Sequence, residues 1–260
     1  LLYNKMPKDG STFGAIFMGA VVEPLIGDAS VTQFDARKFI YIGSANKETS
    51  ICLSWQNAPV QKFEEVFTKE LLVGGAGVTS SIRQYPMVLN NVLGTKFKLI
   101  NGYPGSREAG LAMERGEVNG LCGIQWTSFI AQGAEWLEAK KVTIMMQMGG
   151  PNGDDVLNKM GVPTIWSFVK NEADRRTLAV IFNQLEFGRP YVLPPGVPSD
   201  RVSAYRRAFD ATMKDPEFLA EAEKAKLIIN PVNGEGVQKL VEDIYATPMA
   251  DVERARAALK

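Results

Sequence analysis

Histidine is absent from the 260 residues, cysteine occurs only twice, and neither charge is in excess, with 29 basic residues against 29 acidic ones. Without imidazole there is no Ser-His-Asp or Cys-His nucleophile, no usual zinc site and no ordinary proton shuttle near neutral pH. Much enzyme chemistry is thereby disfavoured, and neither a metal nor a cofactor is expected. Balanced charge gives no general attraction to nucleic acid or to an anionic membrane, both of which need clustered Lys and Arg. A charged ligand must therefore be caught locally. Cys52 and Cys122 are far apart, in the apolar runs Ser50-Ile51-Cys52-Leu53 and Gly120-Leu121-Cys122-Gly123. That is neither a metal nor a redox spacing. The surroundings predict two buried thiols in preference to a disulfide. No run approaches the roughly 18 apolar residues of a membrane span. Leu1 to Met6 lacks the parts of a signal peptide and reads as the last turn of a helix stopped by Pro7, so the sequence is expected to begin inside a domain.

What is present is a chain with 45% apolar residues, long enough at roughly 150 residues per domain for one large or two modest domains. Thr12 to Met18 is short, apolar and aromatic and predicts a buried strand. Ile40 to Gly43 and Ile51 to Trp55 predict two more, and Phe63 to Thr68 a short helix. From Leu71 to Ile124 the pattern becomes regular: strand 71–73, glycine-rich loop 74–81, and a helix with Ile82, Tyr85, Leu89, Val92 and Leu93 on one face and a kink expected at Pro86. Strand 97–100, loop 102–106, helix 107–115 closed by Gly116, and strand 118–124 follow. Such alternation belongs to parallel α/β units. Further strands are predicted at Val142 to Met146 and Phe187 to Leu193, with a helix near Glu172 to Gln184 between them. After the break Pro194-Pro195-Gly196-Val197-Pro198 the tail is helical: Ser199 caps a helix with Val202, Tyr205, Phe209 and Met213 inward, Asp215-Pro216 begins another, and Val237 to Tyr245 forms a last one.

Two loops are candidates for chemistry. Gly75-Ala76-Gly77-Val78-Thr79-Ser80 follows a strand and opens a helix, but its third glycine is replaced by Ser80 and no acid stands about 20 residues on. It is a poor dinucleotide fingerprint, and no Lys makes it a Walker loop. It does offer backbone N–H groups at a helix start with the hydroxyls of Thr79, Ser80 and Ser81, an arrangement that favours an anion, ordinary helix capping being the alternative. Gly102-Tyr103-Pro104-Gly105-Ser106 repeats the arrangement one unit later, with Glu108 in the first helical turn opposing an anion there.

Several segments in order resemble one family: Lys8 to Thr12, Gly75 to Ser81, Gly102 to Ser106, Glu114-Arg115-Gly116-Glu117-Val118-Asn119-Gly120, Val162-Pro163-Thr164 and Leu193 to Pro198. Together they resemble the TctC/Bug family of extracytoplasmic solute receptors of tripartite tricarboxylate transporters. The resemblance implies an α/β, two-lobed periplasmic-binding-protein fold of type II. It also implies a periplasmic location, a small di- or tricarboxylate or amino acid as ligand, and a membrane permease as partner; a monomer is expected. In the family, loop amides and hydroxyls hold the carboxylate. Carried over, this points to Gly77, Thr79, Ser80 and Ser81, and to Tyr103, Pro104, Gly105 and Ser106.

The sequence also departs from the family. The first strand and its carboxylate loop are expected upstream of Leu1. Glu186-Phe187-Gly188-Arg189-Pro190 replaces the family's Trp-Phe-Gly, so Arg189 is expected to pair a distal carboxylate or, alternatively, to form a surface ion pair. Gln125-Trp126 stands where the family often has Asp-Asn, which makes that wall more aromatic, with packing the alternative for Trp126. The first lobe is expected to comprise 1–56 and 187–260 and the second 57–186, with closure bringing the second lobe's loops against Gly19. Two rivals remain: an enzyme using Asp154-Asp155 or Glu114 and Glu117, and the ligand-sensing effector domain of a transcription regulator.

Overall fold

Short apolar runs broken by glycine-containing turns produce, in chain order, α1 (Leu2–Lys5), β1 (Gly14–Ala15), α2 (Met18–Ile26), β2 (Ile40–Ser44), β3 (Ser50–Trp55), β4 (Leu71–Gly75), α3 (Ser81–Leu93), β5 (Phe97–Asn101), α4 (Ser106–Glu114) and β6 (Gly120–Gln125). Then come α5 (Trp126–Glu138), β7 (Val142–Met148), α6 (Asp155–Lys159), α7 (Glu172–Phe182), β8 (Pro190–Leu193), α8 (Ser199–Thr212), α9 (Pro216–Lys224), β9 (Val232–Asn233), α10 (Gly234–Tyr245) and α11 (Met249–Ala258). The structure is a computed structural model and describes residues 1–27 and 32–260. Two units result: Leu1–Glu48 with Ala179–Glu253, and Thr49–Leu178 with Arg254–Lys260.

The first unit is built on a four-stranded sheet in the order β1-β8-β2-β9. Ile42, Leu193 and Val197 are buried on it beneath Val202, Tyr205 and Phe209 of α8. The predicted strand at Thr12 to Met18 is mostly not one. Only Gly14 and Ala15 pair with β8, and Met18 already opens α2. Alternation explains the error: Phe13 and Phe17 are exposed at 51% and 70%, so the run's aromatics do not enter a core.

The second unit holds a five-stranded sheet in the order β5-β4-β6-β3-β7. β4 runs parallel to β5 and β6, whereas β3 is antiparallel to both β6 and β7. Ser50 to Trp55 therefore belongs with the second unit, because its hydrogen bonds on both edges go to strands of that unit. Ile51, Leu53, Leu121, Ile124 and Ile144 from the sheet meet Met113, Trp126, Phe129 and Trp136 from its helices in one core. α3 runs from Ser81 to Leu93 with the buried Pro86 inside it. Ser199 starts α8 without capping it; Pro198 takes the cap position.

The expectation of two free thiols is corrected. Cys52 and Cys122 are directly opposed in the β3–β6 ladder and form a disulfide. The runs around them do bury both residues, but burial and pairing are independent, and cross-strand register decides the second.

A 3₁₀ turn at Phe63–Phe67 precedes β4. Its Glu65 carboxylate accepts from Lys69 Nζ (2.8 Å) and from the backbone N–H groups of Gln61 (2.8 Å) and Lys62 (3.2 Å). These bonds, that of Lys69 first, hold the carboxyl down to about 2 from an ordinary 4.5. A carboxylate depressed in the folded state stabilises above its unfolded pKa and loses that contribution as pH falls through the folded value. Glu65→Gln is thus expected to lower the melting temperature at pH 7. The gap from the parent protein should narrow between about pH 4.5 and about pH 2; thermal melts over that range check it.

Candidate functional site

From β4 the chain passes through α3 to β5 on one side, then through α4 back across to β6 on the other. Reversal of this kind opens a crevice at the carboxyl ends of the two strands where it occurs, here β4 and β6, and ligands of open α/β sheets bind in such crevices. Gly77 to Ser81 follows β4, and Gln125 ends β6. Topology brings these two segments together although they are distant in sequence.

Contact between them is close. The Ser81 hydroxyl and the Gln125 carboxamide exchange long hydrogen bonds of 3.3 and 3.5 Å. Behind them lies a β-bulge. Ile51 pairs with Ile124 and Cys52 with Cys122, so Gly123 is the extra residue of β6, at φ +95°. Only a residue without Cβ suits that conformation and leaves room for the Ser81 carbonyl, which a Cβ on Gly123 would strike.

The loop itself is poised for an anion. Ser80 takes the N-cap position of α3, yet its side chain makes no capping bond and no acid stands in the first turn. Its carbonyl accepts from Arg83 (3.0 Å) and Gln84 (2.9 Å), while the N–H groups of Ser81 and Ile82 have no acceptor among the described residues. Gly77 is exposed, and a Cβ on it would meet nothing within 4 Å, so the loop backbone can be approached directly. Together with the hydroxyls of Thr79, Ser80 and Ser81 this is a set of donors of the kind that suits an anion.

The second loop, Gly102 to Ser106, leads from β5 into α4 on the far side of β4. Tyr103 N–H donates to Gly75 O (3.3 Å), its ring lies on Gly74, and its hydroxyl reaches toward Glu117 (3.5 Å). Burial and the Glu117 charge push the phenol up, and the Arg115 guanidinium holds the Glu117 carboxyl below the usual range. Ser106 Oγ contacts Gln132 Oε1 at 3.1 Å, and Glu108 turns back to within 3.3 Å of where a Cβ of Gly105 would be. The Glu108 carboxylate stands in the first turn of α4, where its charge opposes an anion. Pro104 is exposed beside it.

No family model matches the sequence, and no curated protein does either. Solved structures do match. A TctC solute-binding protein from Polaromonas, without ligand, superposes with a TM-score of 0.72 at 16% identity, over 95% of this chain and 80% of that one. The periplasmic binding protein BugD gives 0.63 at 17% identity over 98% and 80%. This chain has the fold of the TctC and Bug periplasmic binding proteins. MatC from Rhodopseudomonas palustris with bound malate gives 0.60 at 16% identity, over 98% of this chain and 81% of that one.

The other residues named from the resemblance to TctC and Bug proteins are dispersed. Trp126 is 4% exposed and stacks on Phe129 at 5.7 Å within the core. It packs, whereas Gln125 beside it reaches the loop. Gly19 lies in the first turn of α2, where a Cβ would press on the Phe17 ring and lie 3.7 Å from Gln184 Oε1. Arg189 is exposed, with its N–H on Ser44 Oγ (3.0 Å) and its guanidinium in no ion pair among the described residues. Two of the four rival carboxylates have structural contacts: Asp154 caps α6 through the N–H groups of Val156 and Leu157, and Glu117 pairs with Arg115 at 2.7 Å. Among the described residues no three His, Cys, Asp or Glu are placed to hold a metal ion, and no helix is long and apolar enough to cross a membrane. A cavity of about 230 Å³ lined by Asn91, Thr177, Arg254 and Ala258 lies apart from these loops, and Asp174 occupies its Arg254 at 2.7 Å. Sequence reasoning missed Gly123 as a site residue, although an unexplained glycine inside a predicted strand is a signal for a bulge.

Proposed function

We propose that this chain is a periplasmic solute receptor of the TctC/Bug type, a monomer that captures a small carboxylate and delivers it to a membrane permease without transforming it. The observation that carries the reading is the uncapped start of α3 at the β4/β6 crevice, where Thr79, Ser80, Ser81 and free N–H groups converge beside Gln125. Solved proteins of the same fold are periplasmic or solute-binding proteins, and one of them holds malate. Micromolar binding requires about 8 kcal/mol, and each hydrogen bond to a charged group supplies roughly 1.5–3 kcal/mol. Several such bonds suffice even after ordering costs.

Calorimetric titration with a panel of di- and tricarboxylates tests the proposal. Saturable binding is expected, with the ligand recovered unchanged after long incubation. Ser81→Ala, which removes one donor to a carboxylate, should weaken binding by about 10- to 100-fold, and Ser80→Ala comparably. Ser106→Ala, at the helix start that carries Glu108 in its first turn, should leave affinity nearly unchanged. Turnover of the ligand would favour an enzyme, and no binding by any carboxylate would remove the receptor reading.

A further inference from the structure

The side chains of β6 do not alternate from face to face as those of a regular strand do. Leu121 and Ile124, three positions apart, both enter the core beside Ile51 and Leu53 of β3. Gly123 is the extra residue between them, and beyond it Gln125 stands opposite Ser50 as Cys122 stands opposite Cys52. Without the bulge Gln125 would share the face of Leu121 and turn into that core. The bulge reverses the alternation, and Gln125 meets Ser81 instead, its Nε2 donating to Ser81 Oγ at 3.3 Å.

Gly123 does little to hold its own place. It has no side chain, and its carbonyl accepts only a long bond from Ser50 Oγ (3.4 Å). Its neighbours fix it. Ile124 on one side is held by burial, at 2% exposure, and Trp126 N–H beyond it donates to Thr49 O (2.7 Å). Cys122 on the other side is fixed by its bond to Cys52, and both cysteines are fully buried. A covalent bond across the ladder, one residue before a glycine bulge, pins the register on which the face of Gln125 depends.

We propose that the Cys52–Cys122 bridge is a positioning element of the ligand site: it keeps Gln125 on Ser81, so breaking it weakens carboxylate binding without removing any group that touches the ligand. The inference rests on the receptor reading above. With Nε2 donating to Ser81 Oγ, that hydroxyl keeps its own proton for the carboxylate. Once Cys122 is free, the bulge and Gln125 gain conformations that must be given up again on binding, and affinity falls by that ordering cost.

Calorimetric titration of the full chain with succinate, malate and citrate, well below every melting temperature, is the test. Cys52→Ala/Cys122→Ala is expected to bind about 10-fold more weakly than the parent, the scale of one hydrogen bond to a charged group. Gln125→Ala should weaken binding comparably, and removing the bridge from Gln125→Ala should weaken it no further, as two groups acting through one contact are not additive. Val142→Ala is the control, because Val142 pairs with Trp55 at the opposite end of the β3–β7 ladder from Ser50. It should lower the melting temperature by opening a cavity and keep the parent's affinity. Parent-like affinity without the bridge, or a loss that persists in full on top of Gln125→Ala, overturns the inference alone. An equal loss in Val142→Ala also overturns it and assigns the effect to stability. Absence of binding by the parent across the whole carboxylate panel overturns the receptor reading and this inference with it.

Discussion

Replacing Gly123 with alanine is expected to destabilise the second unit by about 3 kcal/mol and to abolish carboxylate binding together. Two costs combine. Alanine at φ +95° is strained, by roughly 1–3 kcal/mol, and its Cβ would strike the Ser81 carbonyl. Relief requires β6 and the start of α3 to move apart, at a typical overpacking cost of about 1–3 kcal/mol. That movement pulls Ser81 from Gln125 and disorders the donor set. Gly94→Ala is the control: it too has a positive φ, +75°, but a Cβ there meets nothing within 4 Å. It should cost only about 1 kcal/mol and leave affinity intact. Denaturant unfolding and titration of both variants check this. Full binding by Gly123→Ala would show that the bulge does not shape the site.

Removing the Cys52–Cys122 bridge is expected to cost about 4 kcal/mol, from the loop-closure entropy released to the unfolded chain by a cross-link of separation 70. For a unit of this size that corresponds to a fall in melting temperature on the order of 10 °C. Reductant should lower the melting temperature of the parent protein and leave a Cys52→Ala/Cys122→Ala double variant unmoved. Mass spectrometry under native conditions should show the parent about 2 Da lighter than its reduced form, since two thiol hydrogens are lost on oxidation. A parent protein indifferent to reductant would contradict the bridge. Oxidised cysteines also suit the extracytoplasmic location proposed above, because disulfides persist in the periplasm and are rare in the cytosol.

How far the site was legible differs from residue to residue. Gly77, Thr79, Ser80 and Ser81 could be named because glycine and hydroxyl residues between an apolar run and a helical stripe have few other uses, and the structure leaves that helix start uncapped. The loop at Gly102 to Ser106 has the same local chemistry. Nothing local apart from Glu108 separated the two; the reversal of strand order did, by placing β6 and Gln125 beside the first loop only. Trp126 illustrates the opposite case, since an aromatic next to a site polar residue reads as recognition until its 4% exposure places it in the core. Four helices, α2, α5, α6 and α11, escaped the sequence reading altogether. α5 begins at a strand end with no capping side chain, and α11 lines its buried side mainly with Val252, Ala255 and Ala258, whose small size gives little apolar contrast.

By itself, the sequence determined the α/β class, the parallel rhythm between Leu71 and Ile124, the caps at Asp215 and Gly116, and the order of segments that resembles the TctC/Bug receptors. The first three follow from interactions within a few residues: side-chain period, backbone freedom at glycine, and local donors and acceptors; the last is a resemblance carried by motifs. Tertiary structure alone decided that Cys52 meets Cys122, that Ser50 to Trp55 joins the second unit, and that Gly123 is a bulge under Ser81. Those depend on which strands pair and in what register, a property of contacts between residues tens of positions apart that no local pattern encodes.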